Sequence, residues 1–305
     1  MRIASFGSVN VDITLRVDQA SLPGETRFGE SVTMGLGGKG ANQAVAASRL
    51  GGDVALIARI GSDAFGNDAF ERLQKYGVEV SHVQRVAGAS TGIALIQVDR
   101  AGQNAITVIS GANATLDAAD FTQTVEGAAP PGILLLQLET PLAASIAAAR
   151  RVKAAGGLVI FDPAPPQTVD RLAELLALAD IVLPNEHEAS VLTGIVPVDE
   201  EAVRKAACRL REMGVRAPII KCGGRGAYIL LGQELVAIPP KAVEVVDTVA
   251  AGDCFAGALA VAIAEGRDFV AAARFAADAA ALSVTRRGAA EAVPSRLEVD
   301  RFAVA

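Results

Sequence analysis

Short apolar, β-branched runs alternate with alanine-rich helical stretches along most of this chain, and that alternation is the tightest limit on its fold. Ile3–Val9, Val54–Ile60, Ile133–Leu138, Leu158–Phe161, Ile181–Leu183, Pro218–Cys222, Ala227–Leu231 and Leu235–Ile238 read as core strands. Helical patterns lie between many of them, at 41–50, 64–76, 142–155, 170–178, 199–213, 254–265 and 269–283. Strands joined by helices form a mainly parallel sheet with helices on both faces, a three-layer α/β fold. Aromatic residues make up only 4% of the chain while alanine and glycine are abundant, so the helices are expected to pack closely through small side chains.

Two segments break the rhythm. Val11, Ile13, Leu15 and Val17 alternate with Asp12, Thr14 and Arg16. Thr91–Val98 and Ala105–Ile109 flank a turn at Asp99–Asn104, and Phe28–Met34 resembles them. These read as antiparallel strands with one wet face. Together, at about 11–34 and 91–109, they form a small β-sheet that suits a lid, with its other face free for a dimer contact. No internal repeat, low-complexity segment or long linker interrupts residues 1–305, which read as one domain.

The charge balance narrows the function. With 51% hydrophobic and 20% charged residues the chain can bury a sizeable core. A net charge of −6 with few aromatics and no basic run argues against nucleic-acid binding. No apolar run is long enough to span a bilayer, and Met1–Gly7 reads as a first strand rather than a targeting segment, so the cytoplasm is expected. Cys208, Cys222 and Cys254 are odd in number and lack a C-x-x-C spacing, which argues against a disulfide framework or a zinc site. The two histidines, His82 and His187, leave Ser–His–Asp and three-histidine zinc chemistry poorly supplied and read as surface residues.

The chemistry-bearing residues cluster after strands. Val243, Val245 and Val246 look like a buried strand running into Asp247-Thr-Val-Ala-Ala-Gly-Asp-Cys-Phe-Ala-Gly257. Small residues let backbone N–H groups at a helix start approach an anion, and Asp253 stands beside them. Phosphoryl transfer to a hydroxyl needs that pairing of anion donors with a base. The same residues also fit a plain strand–turn–helix junction with Asp253 as N-cap. Gly35-Leu-Gly-Gly-Lys-Gly40 matches G-x-G-x-x-G formally, but the acidic residue expected after the next strand is missing, because Val54–Ile60 ends in Gly61. What remains is a flexible turn carrying Lys39, then Asn42-Gln43, suited to a hydroxylated ligand or simply to tight packing. Asn10, Asp12 and Glu139 follow strands where ligands gather in open α/β sheets, although Asp12 also fits a solvated strand face. In Asn185-Glu-His-Glu188 two carboxylates suit Mg²⁺ through water or an acidic helix start. Gly223-Gly-Arg-Gly226 suits backbone contact with a nucleotide, or a hairpin turn without function.

Taken in order, Gly7-Ser-Val-Asn-Val-Asp12, Pro23-Gly-Glu25, Gly37-Gly-Lys-Gly-Ala-Asn-Gln-Ala44, Ser110-Gly-Ala-Asn113, Gln137-Leu-Glu-Thr-Pro141, Asn185-Glu-His-Glu188 and Asp247–Asp253 resemble the ribokinase (PfkB) family of carbohydrate kinases over nearly the whole chain. The resemblance implies a ribokinase-like, Rossmann-type domain with a β lid often shared in a homodimer, and ATP-dependent phosphorylation of ribose at its 5-hydroxyl. It implies Asp253 as the base and Ala250, Ala251, Gly252 and Asp253 as the anion hole. Asn10, Asp12, Gly38, Lys39, Gly40, Ala41, Asn42 and Glu139 would hold the sugar. Asn185, Lys221, Cys222, Gly223, Gly224, Arg225, Gly226, Gly252, Asp253 and Ala277 would lie along the nucleotide. Glu188 would organise Mg²⁺ through water, and Asp247, Val249, Val284, Arg287 and Ala289 would surround a monovalent cation such as K⁺.

Several residues depart from the family pattern. Lys221 stands where Thr is common and Asp162 where Asn is usual. Ala277, with Asp278 beside it, replaces a polar residue that reaches the nucleotide, and Ala292 replaces a Ser near the cation. Rival readings are a kinase for fructose, 2-keto-3-deoxygluconate or a nucleoside, and a sugar-binding protein without catalysis. A nicotinamide oxidoreductase fits less well, given the failed Gly35–Gly40 match.

Overall fold

A computed structural model describes residues 1–19, 24–100, 103–124 and 130–304. The first half of the chain contains β1 (Ile3–Phe6), β2 (Asn10–Arg16), β3 (Ser31–Gly37), α1 (Lys39–Arg49), β4 (Val54–Gly61), α2 (Ala64–Lys75), β5 (Val83–Val86), β6 (Gly92–Val98), β7 (Asn104–Ile109), α3 (Ala118–Thr124), β8 (Ile133–Leu136) and α4 (Leu142–Ala154). The second half contains β9 (Leu158–Phe161), α5 (Val169–Leu178), β10 (Ile181–Val182), α6 (Glu186–Thr193), α7 (Glu200–Glu212), β11 (Ala217–Lys221), β12 (Ala227–Leu231), β13 (Glu234–Ile238), α8 (Ala251–Ala264), α9 (Phe269–Ser283) and α10 (Arg296–Ala303).

All four residues of β8 are buried, yet they face two different cores. Ile133 and Leu135 join the core that contains α1, α8 and α9, while Leu134 and Leu136 join the one that contains α4 and α5. A strand covered on both faces shows as a continuous apolar run, which is why these strands are legible in the sequence. They form one sheet in the order β13-β12-β11-β10-β9-β8-β1-β4-β5. Its pairs are parallel from β11 to β5, and β12 and β13 add an antiparallel edge.

The second sheet has the order β3-β2-β6-β7. Its outer pairs are antiparallel as expected, but the central β2–β6 pair is parallel. Both strands start at the base of the sheet, where Asn10 faces Gly92, and run outward together. β3 starts at Ser31, whereas Phe28 lies outside it and is exposed. Pro23, in the segment resembling the family, and positions 101 and 102 of the expected turn lie outside the described residues.

Other expectations need correcting. Val243, Val245 and Val246 form no strand, and Val245 and Val246 are exposed. The N–H groups of Val246 and Asp247 donate to the Val284 carbonyl at 2.8 and 3.1 Å, so the segment is tied to the end of α9 rather than to a sheet neighbour. β5, α3 and α10 were not expected because each is short; β5 is a four-residue edge strand with a polar centre, and α10 begins in a Ser295–Glu298 capping box.

Candidate active site

Two helices built from small residues bring the central carboxylate to its partners. A β-carbon on Gly257 would lie 2.6 Å from Ala46 Cβ and 2.6 Å from the Gln43 carbonyl, so glycine is what lets α8 approach α1 this closely. One turn earlier on α8 stands Asp253. Asn42 Nδ2 donates to its Oδ2 at 3.2 Å and Gln43 Nε2 to its Oδ1 at 3.1 Å. Asp253 is not the N-cap: Ala250 takes that position with φ +57°, and Asp253 lies inside the first turn. Among the described residues, the N–H groups of Gly252 and Asp253 find no hydrogen-bond acceptor, whereas Cys254 N–H reaches the Ala250 carbonyl at 2.8 Å. Free first-turn N–H groups at the positive end of a helix form an anion-binding surface.

Below the second sheet lies a cleft of about 440 Å³, lined by Asn10, Val108, Ser110, Asn113, Glu139 and Pro165 among others. Asn113 fixes its floor: Oδ1 accepts Val9 N–H at 2.9 Å, and Nδ2 donates to the Val9 carbonyl at 3.0 Å and to Asn10 Oδ1 at 2.8 Å. Glu139 Oε2 accepts from Ser8 Oγ at 2.5 Å and from Lys39 N–H at 3.1 Å, which joins the end of β8 to the start of α1. Gly40 and Ala41 are buried against the β1–β2 turn, with Ala41 N–H donating to the Ser8 carbonyl at 2.9 Å. Asp12 shares a β2 face with Asn10, and a β-carbon at Gly37, the register partner of Asn10, would lie 2.0 Å from Asp12 Oδ1. The Gly37-Gly-Lys-Gly40 turn is thus explained by close approach around this cleft. Asn42 Oδ1 is buried without a partner among the described residues, an acceptor suited to a ligand hydroxyl.

Carboxylates outnumber ammonium groups here, and the protonation equilibria follow from that. Burial pushes Asp253 up to about 6, reinforced by Asp162 and opposed by Lys39. Burial also pushes Asp12 up to about 7, with Glu139 and Asp253 adding to it. Conversely, Asp253, Asp162 and Glu139 hold the Lys39 ammonium above its ordinary value in spite of burial. The site is therefore short of positive charge, so an anionic phosphate bound here needs a metal ion to accompany it.

A second group of candidate residues starts at β11. Lys221 ends that strand and pairs with Asn185 in an isolated bridge. Its Nζ donates to Asp162 Oδ1 at 2.9 Å, and Asp162 Oδ2 accepts from Gln43 Nε2 at 3.3 Å. Cys222 to Gly226 form a tight turn closed by Cys222 N–H to the Gly226 carbonyl at 2.7 Å, with Gly223 and Gly224 unobstructed. Arg225 is held away on Glu186 and the Pro197 carbonyl. Glu188 completes a capping box with Asn185, and its buried carboxyl is raised chiefly by desolvation. Ala277 stands apart from this cluster, lining a separate cavity of about 210 Å³ with Ile238, Pro239, Lys241, Arg274 and Asp278. Gly226 packs on Ile238 and Pro240, so the turn abuts the wall of that cavity.

Asp247 joins the two loops expected to hold a monovalent cation. Its carboxylate accepts N–H from Val249 and Gly288, each at 3.0 Å. The Val284 carbonyl already accepts two N–H groups, and Ala292 offers no side-chain oxygen, so the fit to K⁺ rests on Asp247 and the remaining carbonyls. Among the described residues no group of three or more His, Cys, Asp or Glu could hold a metal ion. Mg²⁺ commonly keeps its waters and rides on substrate phosphates beside one or two carboxylates, a role open to Glu188.

Gln43 is the residue that the sequence reading undervalued. It is fully buried and links Asp253, Asp162 and Gln137, whose Nε2 donates to Gln43 Oε1 at 2.7 Å. Its signal was a long polar side chain within the inward-facing run of an alanine-rich helix. Asn113 carried no comparable local signal, because its partners lie more than a hundred residues away.

An open α/β sheet with a buried carboxylate at a bare helix N-terminus, near a cleft lined by Asn10, Asn113 and Glu139, fits a phosphotransferase acting on a hydroxyl. The family model for pfkB family carbohydrate kinases matches residues 1–296. The chain is 40% identical to a ribokinase of Haemophilus influenzae, over 97% of this chain and 96% of the relative. It is 35% identical to a deoxyribokinase of Salmonella typhi, over 97% and 96% of the two chains. The structure of an Arabidopsis thaliana ribokinase complexed with ribose and ATP superposes with a TM-score of 0.90 at 34% identity, covering 99% of this chain and 98% of the other. The chain belongs to the pfkB family of carbohydrate kinases, and it is an ATP-dependent sugar kinase.

Proposed function

We propose that the chain transfers the γ-phosphoryl group of ATP to the 5-hydroxyl of ribose. The observation that carries this reading is Asp253: a buried carboxylate held by Asn42 and Gln43 beside the free N–H groups of α8. Asn10, Asp12, Lys39, Asn42 and Glu139, with the backbone of Gly38, Gly40 and Ala41, hold the sugar hydroxyls. Asp253 orients the 5-hydroxyl and takes its proton as the O–P bond forms and ADP leaves. The N–H groups of Ala251, Gly252 and Asp253, after the bend at Ala250, receive charge on the transferring group. A sugar hydroxyl needs little activation in a loose transition state, so orientation is the larger contribution of Asp253.

The nucleotide extends from Gly252 along Asn185 and the Lys221–Gly226 turn toward Ala277. Mg²⁺ bound with ATP would neutralise phosphate charge, with Glu188 orienting its waters. A monovalent cation such as K⁺ would sit between the loops joined by Asp247, using carbonyls of Val249, Arg287 and Ala289. The 1–305 chain acts as one catalytic domain, with β2, β3, β6 and β7 as a lid that excludes water. Asn10 and Val108 on the inward face of the lid line the cleft, while Val32, Met34, Leu95 and Ile109 on the other face are exposed. That apolar face supports a homodimer through the lid. Three unpaired cysteines, two of them buried, suit a reducing compartment such as the cytoplasm.

The test is ADP release from MgATP with ribose, deoxyribose, fructose, 2-keto-3-deoxygluconate and adenosine, each with and without K⁺. Ribose is expected to give the highest kcat/KM, with a further rise in K⁺. Preference for another acceptor would keep the mechanism and reassign the sugar. Sugar binding with no turnover on any of them would leave a binding protein.

A further inference from the structure

We infer that Lys221 contacts the transferring phosphoryl group and that Asp162 holds the lysine in position for it, an inference that rests on the phosphotransfer reading above. Lys221 Nζ lies 2.9 Å from Asp162 Oδ1, with the lysine side chain 15% exposed and the aspartate 2%. A methyl group added to Gly252 would lie 3.1 Å from that same Nζ, so the ammonium stands against the first turn of α8. The positive end of the helix and the free N–H groups of Gly252 and Asp253 already gather there. A cation at a helix N-terminus is unfavourably placed unless an anion accompanies it. Asp162 is the resident anion, and a phosphoryl group is the one the surface is shaped to receive.

The connection continues to the base. Gln43 Nε2 donates to Asp162 Oδ2 at 3.3 Å and to Asp253 Oδ1 at 3.1 Å, so a single amide spans the lysine's counter-ion and Asp253. Lys221 and Asp162 are also two of the residues that depart from the family pattern, and in the fold each is the other's partner. An ammonium has three N–H donors, so Lys221 can keep Asp162 on one while offering others to phosphoryl oxygens. The interaction strengthens as charge develops on the moving group, which is the condition for lowering the barrier rather than only tightening binding. Asp162 acts through the lysine and is a positioning residue.

A purely structural ion pair predicts equal losses from either partner, whereas here the lysine variant loses more and the double variant loses no more than it does. The probes are steady-state kinetics, ribose binding, and binding of MgADP with and without aluminium fluoride as a mimic of the transferring group. Lys221→Met is expected to lower kcat about 10²-fold or more, keep the ribose Kd within about 3-fold, and weaken the aluminium fluoride complex more than MgADP. Asp162→Asn leaves the cation charged but loosens its fixed partner, and is expected to lower kcat and weaken the aluminium fluoride complex by roughly 3- to 10-fold, less than Lys221→Met does. The double variant Lys221→Met/Asp162→Asn leaves neither charge unpaired, which guards against misfolding, and is expected to match Lys221→Met in kcat. Turnover within about 3-fold of wild type in the single or double lysine variant would overturn the proposal. So would Asp162→Asn weakening the fluoride complex as much as Lys221→Met. If the wild type fails to phosphorylate ribose, the sugar assignment falls, but the fluoride complex without sugar still reports on Lys221.

Discussion

Asp253 shows how a single residue acquires a function that its local sequence leaves open. As a helix-start aspartate it could have been a cap; in the fold it lies within the first turn, buried, and receives two amide donors from α1. Burial raises its carboxyl to about 6 while Lys39 draws it down. A base must be ionised to act, so kcat/KM for the sugar is expected to rise with pH through about 6 and to level off above it. The stability sign is opposite: the favourable contribution of the protonated carboxyl is present below the unfolded value near ~3.9 and is lost as pH rises through the folded one. In Asp253→Asn the fold and sugar binding are expected to persist while kcat falls about 10²-fold or more and the limb near pH 6 disappears. An unchanged acid limb in that variant would assign the titration to Asp12 instead, whose carboxyl is raised to about 7.

At the scale of an element, the start of α8 carries a local cost. Ala250 adopts φ +57°, and it is the one non-glycine residue with positive φ among the described residues. A β-carbon in that left-handed conformation costs roughly 1–2 kcal/mol, and strain of this kind collects at functional sites. The bend turns the chain so that the N–H groups of Gly252 and Asp253 are left free. Ala250→Gly is expected to relieve the strain, partly offset by greater freedom of the unfolded chain, for a net gain of up to about 1 kcal/mol in urea unfolding. A loss of stability would mean that the Ala250 methyl contributes more through packing than its backbone costs.

On the scale of the whole molecule, the small sheet proposed as a lid has a face of mixed polar and apolar character toward the cleft and a more apolar face opposite. Register places Asn10, Asp12 and Val108 on the face toward the cleft and Val32, Met34, Leu95 and Ile109 on the opposite one. Val32 is 60% and Met34 46% exposed, so water meets an apolar surface that a second lid would cover. Sedimentation velocity is expected to show a dimer for the wild type and a monomer for Met34→Glu, since a carboxylate would have to be buried in the pairing. A wild type that sediments as a monomer at micromolar concentration would leave the lid face without a second copy.

The alternation of apolar runs and alanine-rich helices was enough to specify the parallel α/β sheet, because strands buried on both faces carry their environment in their own composition. Lys39, Asn42, Glu139 and Asp253 stood out as candidates, since each lies shortly after a strand or in the first turn of a helix. The direction of the central lid pair, the fate of Val243–Val246, the span of Gln43 between Asp162 and Asp253, and the pairing of Lys221 with Asp162 were not. Each depends on contacts between segments distant in the chain. Period and composition report how a residue meets solvent, whereas which side chain meets which is set by how the elements pack.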